Sequence, residues 1–139
     1  MLSPVIDPEG APFWQYAAEG ELRVQACAGC GEFRFPPRPC CPHCRSFDAE
    51  WRPVSGRGRV WSYVVPHPPL LPDYAALAPY NVIVVELEEA PRVRLVGNLV
   101  AEAGAAVNSL PADRVRIGAR VRFVCDPASG LPQWVPERS

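Results

Sequence analysis

Cys27-Ala-Gly-Cys30 and Cys41-Pro-His-Cys44 form two C-x-x-C pairs separated by ten residues. Each such turn brings two thiolates to one ion while nearby backbone N–H groups face the sulfurs, and two turns complete a tetrahedral set. The spacing predicts one structural ion on Cys27, Cys30, Cys41 and Cys44. Zinc is favoured over iron, although four thiolates suit both. With every ligand position filled by protein, no bound water is left to activate. A redox C-x-x-C needs one pair beside a βαβ pattern, which this chain lacks. Disulfides need an oxidising compartment, for which the sequence carries no signal. Cys40 competes as a ligand, but only Cys41 keeps the two-residue spacing. Gly31 follows the first pair, where a positive φ is expected, and Pro42 stiffens the second. His43 is read as facing solvent, and Cys125 as core packing in a strand.

The remaining polar residues offer little chemistry. All 14 basic residues are arginine. The absence of lysine excludes Schiff-base catalysis and a P-loop lysine. His67 has no recognisable Ser/His/Asp or paired-acid surroundings, so the chain is expected not to be an enzyme by itself. The formal net charge of -1, moved to about -3 by four thiolates and Zn²⁺, is unfavourable for nucleic acid. Arg120 and Arg122 alternate with Val121 and Phe123. They are read either as an ordinary exposed face or as a contact for CoA phosphates or a partner. Trp61 and Tyr63 share one face of a strand and are expected in the core rather than on a stacking platform. Trp51 and Trp134 read as core or junction packing.

The elements that must position these residues are mostly strands. A short helix is expected near the N-terminus, with Phe13, Trp14 and Ala17 near one face and Gly20 as its left-handed stop. Glu21–Ala26 reads as a strand leading into the first cysteine pair. Further strands are expected at Gly58–Val65, Tyr80–Glu88, Arg92–Ala101, Ala119–Cys125 and Leu131–Val135, each bounded by turn residues. Five short strands suggest a small closed or partly closed barrel, a number that the OB-fold shares. A turn at Glu89-Ala90-Pro91 would set Glu88 opposite Arg92 and Glu86 opposite Arg94. The apolar loop 66–79, carrying Leu70, Leu71, Tyr74 and Leu77, lies either on its own barrel or against another protein. The fold class expected is mainly β: an N-terminal helical segment (1–20), a rubredoxin-like zinc ribbon (21–53) and a five-stranded OB-fold (54–139). With 48% hydrophobic residues, no membrane span and no signal-peptide pattern, a cytoplasmic protein is expected.

These features resemble a known family of acyl-CoA-associated proteins built from a helical piece, a zinc ribbon and an OB-fold, domain of unknown function family thirty-five. The matching stretches are Pro12-Phe-Trp-Gln-Tyr, Cys27-Ala-Gly-Cys30-Gly31, Phe35-Pro-Pro-Arg38 and Cys41-Pro-His-Cys44. Beyond them come Gly56-Arg-Gly-Arg-Val60, Pro79-Tyr-Asn-Val-Ile-Val-Val-Glu-Leu87, Gly97-Asn-Leu-Val100 and Ile117-Gly-Ala-Arg-Val121. Cys40 and the proline-rich loop depart from the pattern. The resemblance implies a non-catalytic, obligatory small subunit of a thiolase-like acyl-CoA enzyme, with a MaoC-like hydratase as a further partner. One branch is similar to the module that pairs with an aldolase cleaving acyl-CoA side chains in steroid degradation. The start at Met1-Leu-Ser-Pro leaves open a domain cut from a longer hydratase subunit. Phe13, Trp14, Leu70, Leu71, Tyr74, Arg120 and Arg122 are the expected contacts for the partner or the shared acyl-CoA. The competing readings are a single-stranded nucleic-acid module and a stand-alone acyl-CoA-binding protein.

Overall fold

The computed structural model describes residues 5–137. Residues 1–4 of the expected helical segment, including the Met1–Pro4 start, and residues 138–139 of the expected barrel lie outside the described residues.

The first helix, α1, spans Ala11–Ala18. Asp7 Oδ1 accepts the Gly10 N–H just before it at 2.7 Å. Its C-terminus is a Schellman motif: the N–H of Gly20 bonds to Ala17 O and that of Glu21 to Tyr16 O. Gly20 takes the left-handed φ of 85° that this motif needs. Phe13 and Ala17, one turn apart, are the buried face.

Three short strands follow, β1 (Arg23–Cys27), β2 (Phe33–Arg34) and β3 (Ala49–Pro53), in the antiparallel order β2-β1-β3. The last two were not expected from sequence, because β2 is two residues long and β3 is largely exposed. Arg34 is buried, and its Nε donates to Gln25 Oε1 at 2.7 Å while Nη2 donates to Arg38 O at 2.9 Å.

The rest of the described chain is a closed five-stranded barrel. Its strands are β4 (Arg57–Val64), β5 (Val82–Leu87), β6 (Arg94–Leu99), β7 (Arg120–Cys125) and β8 (Pro132–Pro136), in the order β4-β5-β6-β8-β7. This is the OB-fold arrangement, with every expected barrel strand present. Two short turns of helix intervene, α2 (Pro72–Ala75) and a 3-10 turn at Ala112–Arg114. Alternation along β5 buries Ile83, Val85 and Leu87. One apolar cluster joins Phe13, Ala17, Leu22 and Val24 to the barrel residues, so helix, ribbon and barrel share a core. Asn81 is fully buried at the end of β5. Its Nδ2 donates to Leu99 O at 2.9 Å and its Oδ1 accepts the Leu99 N–H at 2.7 Å, imitating a strand partner.

Two expectations fail. Trp61 is 52% exposed and Tyr63 is 37% exposed, not core. Burial alternates along β4 from Arg57 to Trp61, so Trp61 falls on the outer face with Arg57 and Arg59, where it covers the Arg94 guanidinium, 4.7 Å from its ring centre. The hairpin does pair Glu86 with Arg94, 3.8 Å apart, but its ladder ends there. No Glu88–Arg92 ion pair forms among the described residues. Glu88 donates its N–H to Arg57 O, and Glu89 accepts from Ser55.

Candidate metal centre and apolar cavity

The two knuckles are built alike. The Cys27 N–H bonds to Glu32 O and the Gly31 N–H to Cys27 O; correspondingly, Cys41 bonds to Ser46 O and Arg45 to Cys41 O. Both turns therefore close with the same pair of backbone bonds, and both reverse through a left-handed residue, Gly31 at φ 80° and Arg45 at φ 67°. β1 and β3 carry the turns into contact. The Ala28 N–H reaches Asp48 O at 2.9 Å, and Cys27 pairs with Ala49 in the sheet.

The Sγ atoms of Cys27, Cys30, Cys41 and Cys44 all lie within 4.8 Å of one another. Cys27 and Cys44 are separated by 3.5 Å, and Cys30 and Cys41 by 3.7 Å. Bonds of about 2.3 Å at tetrahedral angles place the sulfurs of a zinc site about 3.8 Å apart. The cluster fits such an ion and is too open for a disulfide, whose sulfurs sit at about 2.05 Å. Cys27 and Cys41 are buried, while Cys30 and Cys44 are exposed. Cys40 points elsewhere, with its Sγ against Cys41 O. His43 is exposed and is not among the four clustered residues.

Electrostatics separates the first cysteine of each knuckle from the second. The Cys30 backbone N–H lies 3.4 Å from Cys27 Sγ and is the main reason that this thiol is lowered to about 6. Cys41 is lowered in the same way, chiefly by the Cys44 backbone N–H. At Cys30 the Glu32 N–H favours the thiolate. Partial desolvation of its sulfur and the neighbouring Cys44, Cys27 and Cys41 outweigh it and push the group up to about 12. Cys44 is raised too, against the Ser46 N–H, by Cys27 and burial. Four sulfurs this close cannot all ionise without a cation among them.

A second feature was only partly visible in the sequence. A cavity of about 330 Å³ lies where α1, the ribbon and the barrel meet. Phe13, Trp14, Phe35 and Tyr74 wall one side, with β6 residues Arg94–Asn98 and residues Leu131–Trp134 on the other. The face of strands two and three with the adjoining loops is where OB-folds bind ligands, and β6 and Tyr74 belong to that face. Three expected contact residues, Phe13, Trp14 and Tyr74, therefore come together. Phe13 is nonetheless almost fully buried, with its ring 5.3 Å from Phe35. Leu70 and Leu71 do not line the cavity, although Leu71 is exposed. Phe35 and Trp134 were missed as lining residues; for Phe35 the available signal was its place in Phe35-Pro-Pro-Arg38.

Arg120 and Arg122 are exposed and stand apart from this cavity. They pair across the ladder with Arg59 and Arg57, so like charges face each other. Arg57 is tied to Glu137 at 3.0 Å. Arg120 borders a smaller cavity of about 250 Å³ with Arg57, Arg59, Glu86, Glu88 and Glu137.

A four-sulfur ribbon followed by a closed OB barrel defines a class of two-part zinc-ribbon/OB proteins. Comparison with known proteins agrees: residues 14–50 match the family described as "ChsH2, rubredoxin-like zinc ribbon domain", and residues 51–126 match "ChsH2, C-terminal OB-fold domain". The chain belongs to this ChsH2-type family, the DUF35 proteins. It is similar to a solved chain of the "Ltp2-ChsH2(DUF35) aldolase", with 39% identity, a TM-score of 0.79 and coverage of 96% of this chain and 98% of that one. It is 40% identical over 136 residues to a "Probable enoyl-CoA hydratase alpha subunit" of Thermomonospora curvata, covering 96% of this chain and 39% of the relative. It is 37% identical over 139 residues to the "3-oxo-4,17-pregnadiene-20-carboxyl-CoA hydratase alpha subunit" of Mycobacterium tuberculosis, covering 99% of this chain and 40% of that one. The chain thus spans about two fifths of the length of these two hydratase subunits. Among the described residues no helix is long and apolar enough to cross a membrane.

Proposed function

We propose that this chain is a non-catalytic accessory subunit, or the equivalent domain of a longer chain, that binds and supports a thiolase-like acyl-CoA enzyme. The enzyme in this reading is an aldolase or lyase cleaving acyl-CoA side-chain intermediates in steroid or lipid degradation. The chain lines part of its acyl-CoA channel, and a MaoC-like hydratase is a second partner. The observation that carries the reading is the likeness, along nearly all of that partner chain, to the DUF35 component of the Ltp2-ChsH2(DUF35) aldolase. The names of the hydratase relatives support the acyl-CoA and steroid setting. One structural zinc ion on Cys27, Cys30, Cys41 and Cys44 belongs to the proposal, with the sulfur spacings in its support. So do division of the chain at 20/21 and 53/54, and a cytoplasmic location.

In this role the zinc supplies no chemistry to a substrate. It holds the two knuckles together so that β1–β3 present a fixed surface beside the barrel. Co-expression with the Ltp2 component of the similar aldolase tests the reading. One gel-filtration peak and restored acyl-CoA cleavage are expected. Separate elution with a fully active enzyme would count against it, as would turnover of acyl-CoA by the chain alone.

A further inference from the structure

The barrel closes between β6 and β8 through two residue pairs in parallel register, Asn98 with Gln133 and Leu99 with Trp134. On its other side β6 pairs with β5 from Arg94 to Gly97. Among the described residues, Arg94–Val96 therefore has a partner strand along one edge only. An antiparallel pair uses the N–H and C=O of alternate residues, and the groups of the residues between them point to the opposite edge. That edge borders the apolar cavity, whose lining includes Arg94, Leu95 and Val96.

We propose that the open edge of β6 and the cavity beside it receive an extended, apolar segment of the acyl-CoA enzyme, added as a further strand. The proposal rests on the accessory-subunit reading and says which surface serves it. An acyl tail would fill the cavity and cover the edge but offer its main-chain groups no hydrogen-bond partner. A peptide strand answers both requirements, with backbone on the edge and alternate side chains in the aromatic pocket. The sizes agree. The cavity of about 330 Å³ is roughly twice the 150 Å³ space that holds one benzene ring, so it takes two large side chains. Residues i and i+2 of a strand stand about 7 Å apart on one face, within the reach of the Arg94–Gly97 edge.

Charge gives the segment a polarity. The larger cavity has one charged lining residue, Arg94, already engaged by Glu86 and Trp61. Phe13, Trp14 and Phe35 also line a shallower cavity of about 150 Å³ that carries Asp7 and Glu9, neither with a cation partner among the described ion pairs. The groove thus runs past an acidic mouth, and the incoming segment is apolar with a basic residue at that end. Val96, 64% exposed on the lining, is the natural contact.

Hydrogen–deuterium exchange on the full chain tests this in three states: alone, with the Ltp2 component of the similar aldolase, and with octanoyl-CoA. The amides of 94–97 are expected to exchange at least tenfold more slowly in the protein complex and unchanged with octanoyl-CoA. Val96→Asp should weaken the complex at least tenfold, whereas Ile117→Asp, at a residue equally exposed elsewhere, should not. Protection away from 94–97 with V96D binding normally would overturn the edge and leave the subunit reading standing. Protection of 94–97 by octanoyl-CoA alone, or by dimers of this chain, would also overturn it. Absence of any complex with the unaltered chain would sink the subunit reading first. The exchange experiment needs no variant, so poor folding of V96D leaves the test intact.

Discussion

Gly31 and Arg45 hold the same place in their respective cysteine knuckles, and both are left-handed, at φ 80° and 67°. A glycine meets this geometry freely, whereas an arginine bears a cost of about 1–2 kcal/mol for it. Arg45→Gly should therefore stabilise the metal-loaded protein by about 0.5–1 kcal/mol, after allowing for the greater freedom of an unfolded glycine. By the same balance, Gly31→Ala should destabilise it by about 0.5–1 kcal/mol. Denaturant unfolding of both variants in zinc-containing buffer measures the pair. A less stable R45G would show that the Arg45 side chain contributes more than its backbone costs.

Neighbouring cysteines should behave oppositely. Cys41 Sγ is in the four-sulfur cluster, while Cys40 Sγ lies against a carbonyl. Cys41→Ser should lower bound zinc from about one ion per chain to almost none and unfold the ribbon, because binding and folding are coupled in such small sites. Cys40→Ser should keep the metal and the melting temperature. Elemental analysis of freshly purified protein decides between them.

Metal uptake should release protons. With Cys30 pushed up to about 12 and Cys44 also raised, both are thiols at neutral pH, so the ion must displace their protons. Cys27, lowered to about 6, is already mostly thiolate there. As pH falls through that value Cys27 is protonated in turn, and each ion then has one more proton to displace. Affinity should thus fall with decreasing pH, more steeply below about 6. Calorimetry in buffers of different ionisation enthalpy reads the proton count; heats independent of buffer would contradict it.

Asn81 is the polar residue on which the β5–β6 junction depends. Asn81→Ala leaves both the N–H and the C=O of Leu99 without the partner they now have. Two buried bonds lost at about 1–3 kcal/mol each predict a destabilisation on the order of 2–6 kcal/mol. Asn81→Asp should restore only the acceptor half. Thermal unfolding of the two variants gives the comparison.

Much of the fold was legible because it depends on short stretches of chain. The knuckle spacing and the Gly20 stop each concern about five consecutive residues, and the alternation Ile83-Val85-Leu87 concerns one strand. Trp61 was misread for a different reason. Alternation puts it outside with Arg57 and Arg59, but the apolar neighbours Val60 and Val64 suggested a strand buried on both faces. β2 and β3 were missed because a two-residue strand and an exposed one have too little pattern to detect.

By itself the sequence determined which four cysteines cluster, paired by C-x-x-C turns, and the number of strands in the barrel. Ligand bite and side-chain alternation are local, so residue type and spacing suffice for them. Tertiary structure alone decided that Phe13, Phe35, Tyr74 and Trp134 share one cavity, and that β6 meets β8 over two residue pairs. Those relationships join residues far apart in the chain. They arise from how helix, ribbon and barrel bury one common core, which no local pattern encodes.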